Sequence, residues 1–497
     1  MTLRSLAGDT LIYGTGYILG KVLNYLLITV YLTWKFDGEQ AQYGLYTDFY
    51  FYVALLLVLL TFRMETTYFR FASKEGQGTT VFSQATLILI GTSLFWLLAL
   101  FLWRQELTAA LDYPGYEKHV LALGLIISLD VLVSIPFAAL RLERRPLRYS
   151  ALRLLGILIN IVAVVFFLEI LPAAYARGAG WASWYQHDDR LYYVFLSNLI
   201  GSLVVFLIFL PQYFRIRLVL DARLIRQMLK YAWPLVIVGL AGVINQSSYI
   251  TFQKYILPNS LLENLSEGGI YAAATRIALL MSLFITAFNY AAEPFFFRLS
   301  GTQGDRAMYA EVARAFTVAG CLLMTVLLLY LDVVQLVLGE SYRSGLHIVP
   351  VLLMGFFFLG LYYNFSVWYK ITDRTIFGAL IALGGAILTI GLNLILIPWI
   401  AVAGSAWAAL ACYGFMALCC YLAGRRYYPV PYDLWRIGLH LAGVLAIYGM
   451  SMLLCDLAGA GFWKHFAINS MLLAGYLIVV YRAEGPMIRS VIRRTPG

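Results

Sequence analysis

Charge is scarce in this chain. Asp, Glu, Lys and Arg make up 12% of its 497 residues, against about a quarter in a typical soluble domain. With 62% hydrophobic residues, it carries more apolar surface than a soluble core can absorb, which excludes an ordinary globular enzyme. Cysteine is also sparse: Cys321, Cys412, Cys419, Cys420 and Cys455 all lie in or beside apolar runs. None forms a C-x-x-C pair or a secreted disulfide framework, so they read as small buried hydrophobes. His119, His187, His347, His440 and His465 are scattered over different segments, so no metal centre is expected. No G-x-x-x-x-G-K-[ST] stretch is present, which excludes direct use of ATP. The first apolar run, from about Thr10 to Thr33, is too long for a signal peptide and lacks a cleavage site. The net charge of +10 would suggest nucleic acid in a soluble protein. Here the charges flank apolar runs, as in the loops of a membrane protein, and no nucleic-acid partner is expected.

What is present is a series of apolar runs of about 20 residues, each long enough to cross the hydrocarbon as a helix. Fourteen can be placed, from 9–33 and 45–69 at the start to 434–455 and 463–482 at the end. Cytoplasmic loops are enriched in Lys and Arg. With the N-terminus inside, 24 of the 36 basic residues fall in cytoplasmic segments, 8 outside and 4 within spans. A three-to-one bias at alternate loops supports both the count and cytoplasmic termini. The stretch Arg215 to Lys230 interleaves Leu218, Leu220, Leu224, Ile225, Met228 and Leu229 with five basic residues, which predicts an amphipathic interfacial helix. The expected organisation is a first lobe at 1–214, a linker at 215–230, a second lobe at 231–425, and two further helices with a basic tail at 426–497.

The two lobes share a pattern. Gly44-Leu45-Tyr46 opens the second span and Glu65 through Arg70 closes it; Gly269-Ile270-Tyr271 opens the eighth and Glu293 through Arg298 closes it. Glu and Arg stand five apart both times, with aromatics between. Spans one and seven run the same way, so the repeat is parallel, about an axis along the membrane normal, as in transporters built from repeated halves.

Four short stretches carry a family resemblance. They are Gln42-Tyr43-Gly44-Leu45-Tyr46, Trp233-Pro234-Leu235, Gly269-Ile270-Tyr271-Ala272-Ala273-Ala274-Thr275-Arg276, and Ala287-Phe288 through Glu293-Pro294. In that order and spacing, over about residues 5 to 425, the chain resembles the multidrug/oligosaccharidyl-lipid/polysaccharide (MOP) flippase superfamily. It is most similar to the polysaccharide exporters of the O-antigen and capsule branch; fourteen helices also fit the lipid II flippases. The resemblance implies an all-α polytopic protein of the bacterial inner membrane, not an enzyme. It would move a polyprenyl-pyrophosphate-linked oligosaccharide from the cytoplasmic to the periplasmic leaflet by alternating access. Its partners would be the lipid-linked substrate, membrane lipids, and a polysaccharide polymerase and glycosyltransferases; no cofactor is implied.

Three basic side chains lie within apolar spans: Lys21, Arg63 and Arg276. Charge at bilayer depth costs at least about 2.5 kcal/mol, so each must face water, protein or an anion. In the relatives, basic residues on helices one, two and eight line the central cavity, and these three fall on those helices. A pyrophosphate suits them: Arg offers a planar fork and Lys a point charge. Lys21 lies roughly 18 Å from either end of its helix, too deep to snorkel; it faces the ligand or pairs with an intramembrane acid. Asp130, the one acid expected deep in a span, is either that counter-charge or the site of a coupling ion. Arg63 and Arg276 lie about two turns from a helix end, within reach of headgroups as well. Glu65 with Arg70, and Glu293 with Arg298, are expected as gating or structural pairs at the surface. Asn24, Asn160, Asn245, Gln246, Asn289, Asn364 and Asn393 either cross-link helices or meet sugars.

A drug/cation antiporter of the same superfamily is the nearest alternative. Its cavity should be acidic, whereas this chain offers three deep bases. A membrane glycosyltransferase or polymerase would need a cluster of acids or His at one face, and the longest outside loop, about 172–190, holds only His187-Asp188-Asp189. The last two helices are expected to form a groove for the polyprenyl tail. Deleting residues 430–497 should then abolish transport of the lipid while the first twelve helices still fold; transport retained by the truncated protein would dismiss the groove.

Overall fold

The computed structural model describes all residues except 1–17, 73–77, 187–188, 215, 217–219, 300–304, 460 and 495–497, and, for side chains, also 290–291, 293–299, 305 and 486–494. Among the described residues the chain is helical throughout, without strands. Thirteen helices are long and apolar enough to cross a membrane. They overlap the second to fourteenth expected spans, although the seventh, expected at 233–255, is observed at Ala222–Ser247. The first expected span, 9–33, lies partly outside the described residues; its described part, residues 18–35, is helical and is here α1. In order follow α2 (Gln40–Ala72), α3 (Gly78–Ala110), α4 (Glu117–Leu142), α5 (Pro146–Ala176), α6 (Arg190–Tyr213) and α7 (Ala222–Ser247). After a short helix, Tyr249–Ile256, come α8 (Leu261–Leu299), α9 (Asp305–Leu329), α10 (Glu340–Ile371), α11 (Ile376–Ile400), α12 (Ala403–Tyr427), α13 (Leu434–Ala458) and α14 (Phe462–Arg494). Contacts divide the chain into two compact units: Met1–Leu32 with Ala41–Thr251, and Thr33–Gln40 with Phe252–Gly497.

Local chemistry fixes many helix starts. Pro146 occupies the first turn of α5, where its missing N–H is no loss. Asp221 accepts from the Leu224 N–H at 3.0 Å and caps α7. Before α8, Ser260 and Glu263 form a reciprocal capping box, Ser260 N to Glu263 Oε2 at 3.0 Å and Glu263 N to Ser260 Oγ at 3.4 Å. The described part of the basic amphipathic stretch does not form a separate interfacial helix. Residues from Ala222 onward, with Arg223, Arg226 and Lys230, are the first turns of α7 itself.

In the first unit, α4 packs against α3 and α6, and α6 packs against α5. Small residues permit the closest approach. A Cβ on Gly201 of α6 would stand 2.8 Å from the Gly156 carbonyl of α5. Lipid gives helices no hydrophobic reason to associate, so such close backbone packing carries much of the adhesion. Phe137 and Phe209 meet edge-on at 4.9 Å in a cluster with Val133, Leu140, Leu152 and Val205. Residues 18–32 of α1 lie on α5, where a Cβ on Gly20 would meet Ile157 Cδ1 at 3.0 Å.

In the second unit, α10 packs between α8, α9 and α12. Phe316 of α9 stacks on Phe284 of α8 at 5.6 Å and on Phe357 of α10 at 5.7 Å. Ser405 donates to Asn393 Oδ1 at 2.8 Å and ties α12 to α11, the cross-linking role expected for some of the intramembrane Asn residues. Helices α13 and α14 are peripheral. Only 17% of the central stretch of each is buried, against 67% for α4, so most of their apolar side chains face lipid. They are held by polar clamps: Asn469 donates to the Leu329 carbonyl of α9 at 2.6 Å and accepts from Ser451 of α13 at 2.6 Å.

The connection between α1 and α2 belongs to this second unit. Asp37 accepts from the Ser341 N–H at 2.9 Å and the Glu340 N–H at 3.2 Å, and also from the Ser341 hydroxyl. It thereby caps the opening turns of α10 from a distant part of the chain. Tyr342 donates to the Phe36 carbonyl at 3.0 Å. The Ser341 hydroxyl, with the backbone N–H groups of Ser341, Glu340 and Gly38, holds the Asp37 carboxyl below its ordinary pKa. A depressed pKa contributes stability above the ordinary carboxylate range, and that stability is lost as pH falls through the folded value. Asp37→Asn should therefore cost about 1 kcal/mol at neutral pH, the usual worth of a cap. Thermal melts of the detergent-solubilised protein should show the gap between variant and wild type closing below about pH 4.

Candidate functional site

The second span departs from the single continuous helix its sequence predicts. It breaks after Thr61 and resumes at Met64. At the break Phe62 and Arg63 have φ of 46° and 52°, a left-handed conformation that costs a non-glycine residue on the order of 1–3 kcal/mol. The break is braced by α7. Phe62 stacks on Trp233 with ring centroids 6.2 Å apart. The Arg63 guanidinium lies directly over Gly239, where a Cβ would stand 2.5 Å from Nη2 and 2.6 Å from Nε. With a Cβ at this position the guanidinium would have to shift. Arg63 is exposed, and among the described residues no acidic side chain pairs with it.

Lys21 sits on α1, half-buried, one turn before a π-helical segment at Leu26–Tyr31. A second π segment interrupts α5 at Phe166–Ile170. The two meet where Tyr31 donates to Glu169 at 2.7 Å. Such π segments leave backbone positions off the α-helical repeat and often mark functional sites. Lys21 and Arg63 thus both belong to the first unit. Arg276 belongs to the second, on α8, half-buried among the buried residues Tyr271 to Thr275 and Ile277. Its stretch of α8 packs closely on the start of α10: a Cβ on Gly345 would stand 2.7 Å from Ile270 Cγ2 and 3.4 Å from Ala274 Cβ.

Asp130 on α4 accepts from Ser202 of α6 at 2.9 Å. The charge that reaches it is Arg153 of α5, whose guanidinium also lies 4.1 Å from the Phe137 ring centroid. Beside this group, Asn198 of α6 donates to the Tyr50 hydroxyl of α2. Glu65 pairs with Arg141 of α4 rather than with its own helix, and Arg141 lies over the Phe69 ring at 4.8 Å. Arg70 instead lies 4.3 Å from the ring centroid of Tyr231, on α7. The Glu65 end of α2 is therefore tied to α4 and the Arg70 end to α7. In the second lobe, the side chains of Glu293 and Arg298 lie outside the described residues.

Three buried charged groups were not legible as such. Asp48 on α2 is fully buried and accepts from Tyr113 at 2.5 Å and Thr251 at 2.6 Å. Lys254, expected in an outside loop, is 2% exposed and lies 4.6 Å from the Tyr255 ring. Glu484, at the end of the last span, is 2% exposed. Asp130 is thus not the one deep acid. Each of the three sits within a few residues of an expected helix end, where composition cannot separate a buried group from a solvated one.

A family model described as polysaccharide biosynthesis protein matches residues 40–346. The chain belongs to the polysaccharide biosynthesis protein family. That family assignment and the fold place it in the MOP superfamily. Among solved structures, the lipid II flippase MurJ in an inward closed conformation shares 15% identity with a TM-score of 0.72, over 95% of this chain and 99% of that one. An inward-facing multidrug resistance MATE family transporter shares 13% identity with a TM-score of 0.63, over 84% and 95%. A mutant of the Vibrio cholerae MATE transporter VcmN shares 13% identity with a TM-score of 0.57, over 85% and 96%. These likenesses show the fold. No curated protein matches by sequence. Within the polysaccharide biosynthesis family's matched region lie the α2 break, Arg63, Asp130 and Arg276.

Because Arg63 is held against its own backbone preference, its replacement should separate stability from activity. Arg63→Gly removes the left-handed penalty and should raise the melting temperature of the purified protein, by an amount corresponding to about 1 kcal/mol. The same variant should lose transport of the lipid-linked cargo. A melting temperature that falls with the substitution would show that the guanidinium is structural.

Proposed function

We propose that this chain moves a polyprenyl-pyrophosphate-linked oligosaccharide from the cytoplasmic to the periplasmic leaflet of a bacterial inner membrane by alternating access. The observation that carries the reading is Arg63. An exposed guanidinium is set on a strained break within a membrane span, braced over a glycine and without an acidic partner among the described residues. Strain of this kind persists where function requires a particular placement, and a cation so placed suits a phosphate oxygen. Lys21 and Arg276 supply the further positive charge. Membership of the polysaccharide biosynthesis family supports a saccharide cargo over a cationic drug. A polymerase and glycosyltransferases would make and consume that cargo. The basic residues favour cytoplasmic termini.

Asp130, with Ser202 as hydrogen-bond donor and Arg153 as nearby charge, is the candidate for a coupling ion or a counter-charge to substrate binding. A second reading takes lipid II as the cargo. It is favoured by the 95% of this chain that the MurJ structure covers, against 84% for the multidrug transporter; coverage that wide extends into the last two helices.

Depletion of the protein in its host should cause a lipid-linked saccharide to accumulate on the cytoplasmic leaflet, and its mass should name the sugar. Lys21→Ala, Arg63→Ala and Arg276→Ala should each lower transport of that intermediate at least about tenfold, the loss of one charge-assisted contact, with normal amounts of folded protein. Unchanged transport in all three would refute the assignment.

A further inference from the structure

One face of α7 carries a basic stripe without acidic partners among the described residues. Arg223, Arg226 and Lys230 stand three and four residues apart, a spacing that puts them on one side of a helix. All three are exposed, as are Gln227 and Trp233 on the same side. The opposite side is the packed one. There Met228, Ala232 and Val236 are buried. Beside them Tyr231 meets Phe71 of α2 with ring centroids 6.1 Å apart and the Arg70 guanidinium at 4.3 Å. We propose that the stripe is a docking surface for anionic phospholipids of the membrane, whose headgroup phosphates engage Arg223, Arg226 and Lys230.

Depth argues for lipid. Trp233 to Ile256, helical but for a turn at Ser248, provides more than the about 20 residues that cross the hydrocarbon. The part of α7 before Trp233 is thereby left at the level of the headgroups. Large apolar side chains are exposed at both ends of the stripe: Trp233 at one, and Leu220 just before α7 at the other. Trp settles at the boundary between hydrocarbon and water, and apolar and basic side chains exposed together mark a helix that meets that boundary. Charge argues for an anion. Between Asp189 and Glu263 the sequence holds one acid, Asp221, and its carboxylate is engaged in capping α7 through the Leu224 N–H. On the neighbouring end of α2, Glu65 is held by Arg141. Each basic residue near a membrane surface strengthens attraction to anionic lipid about fivefold, and an Arg fork can take two oxygens of one phosphate. Phosphatidylcholine offers the same phosphate with its charge cancelled by choline, so net charge is what the stripe selects. Trp233 also stacks on Phe62. A headgroup held at Lys230 therefore sits one helical turn from the ring that braces the break in α2.

The surface is independent of the cargo proposed above, because none of its three basic residues is assigned to transport. The test places the full-length protein in phosphatidylcholine nanodiscs that contain a trace of lipid with a photoreactive group close to its headgroup. The tracer is phosphatidylglycerol in one arm and phosphatidylcholine in the other. Mass spectrometry of peptides covering residues 222–233 reports the labelling. Phosphatidylglycerol should label this segment at least about fivefold more than phosphatidylcholine. Arg226→Gln should lower the phosphatidylglycerol labelling about fivefold. Adding Arg223→Gln and Lys230→Gln should bring it down to the phosphatidylcholine level. All three side chains are exposed, so the variants should melt close to the wild-type temperature. A charge-matched control, Arg104→Gln with Arg177→Gln and Arg425→Gln, removes three exposed basic residues elsewhere and should leave the labelling unchanged. Equal labelling by the two lipids, undiminished labelling of the triple variant, or an equal fall in the control would overturn the proposal.

Discussion

Hydrocarbon cannot solvate a charge, and every polar feature of this protein is arranged around that constraint. The chain is 62% hydrophobic, so apolar burial cannot distinguish one helix packing from another. What distinguishes them is where the few polar groups find partners. Asp48 takes two hydroxyl donors, Asp130 takes Ser202, Glu65 takes Arg141, and Glu484 takes Arg314 and His440. Each of these contacts joins different helices or connections. Removing one partner strands the other in a medium that cannot accept it, so they specify packing more sharply than their number suggests.

Arg63 is the exception that the constraint exposes. The buried and half-buried charges named above are held by partners, whereas the exposed Arg63 is held by geometry. Two consecutive residues adopt left-handed dihedrals, one ring stacks on Trp233, and one glycine makes room. The fold supports this arrangement through α7, which packs on the last turns of α2. The corresponding helix of the second unit does not copy it. Helix α8 runs from Leu261 to Leu299 and passes Pro294 without ending. The spacing shared by Glu65–Arg70 and Glu293–Arg298 therefore does not extend to the backbone, since only the first stretch follows a break in its helix.

Thirteen spans were legible because length and hydropathy are properties of a single helix, summed over about 20 residues. Errors in any one residue average out. The break at Phe62 and Arg63 was not legible, since neither residue is Gly, Asn or Pro and nothing local requests φ above zero. It arises from tertiary contact with Trp233 and Gly239, far later in the chain. Glu65 and Arg70 were legible as surface charges, but not their partners: five-residue spacing on a helix suggested a mutual pair, while Arg141 and Tyr231 were closer in space. Asp48, Lys254 and Glu484 escaped for a different reason. They stand near helix ends, where a shift of one turn moves a residue from solvent to core.

The peripheral helices show how the constraint extends beyond the transport residues. Most of α13 and α14 faces lipid, so apolar contact does little to fix their position: Leu453, Leu457 and Ile478 are equally content against acyl chains or protein. Their placement on α9 falls to polar contacts at two levels. One is Asn469 with Leu329 and Ser451; the other is Glu484 with Arg314 and His440. A clamp of neutral amides would suffice to hold a helix. The second clamp instead gathers Arg314, Arg436 and His440 around Glu484, with Asp433 as a further acid on Arg436, so charge as well as hydrogen bonding fixes the last helices on α9.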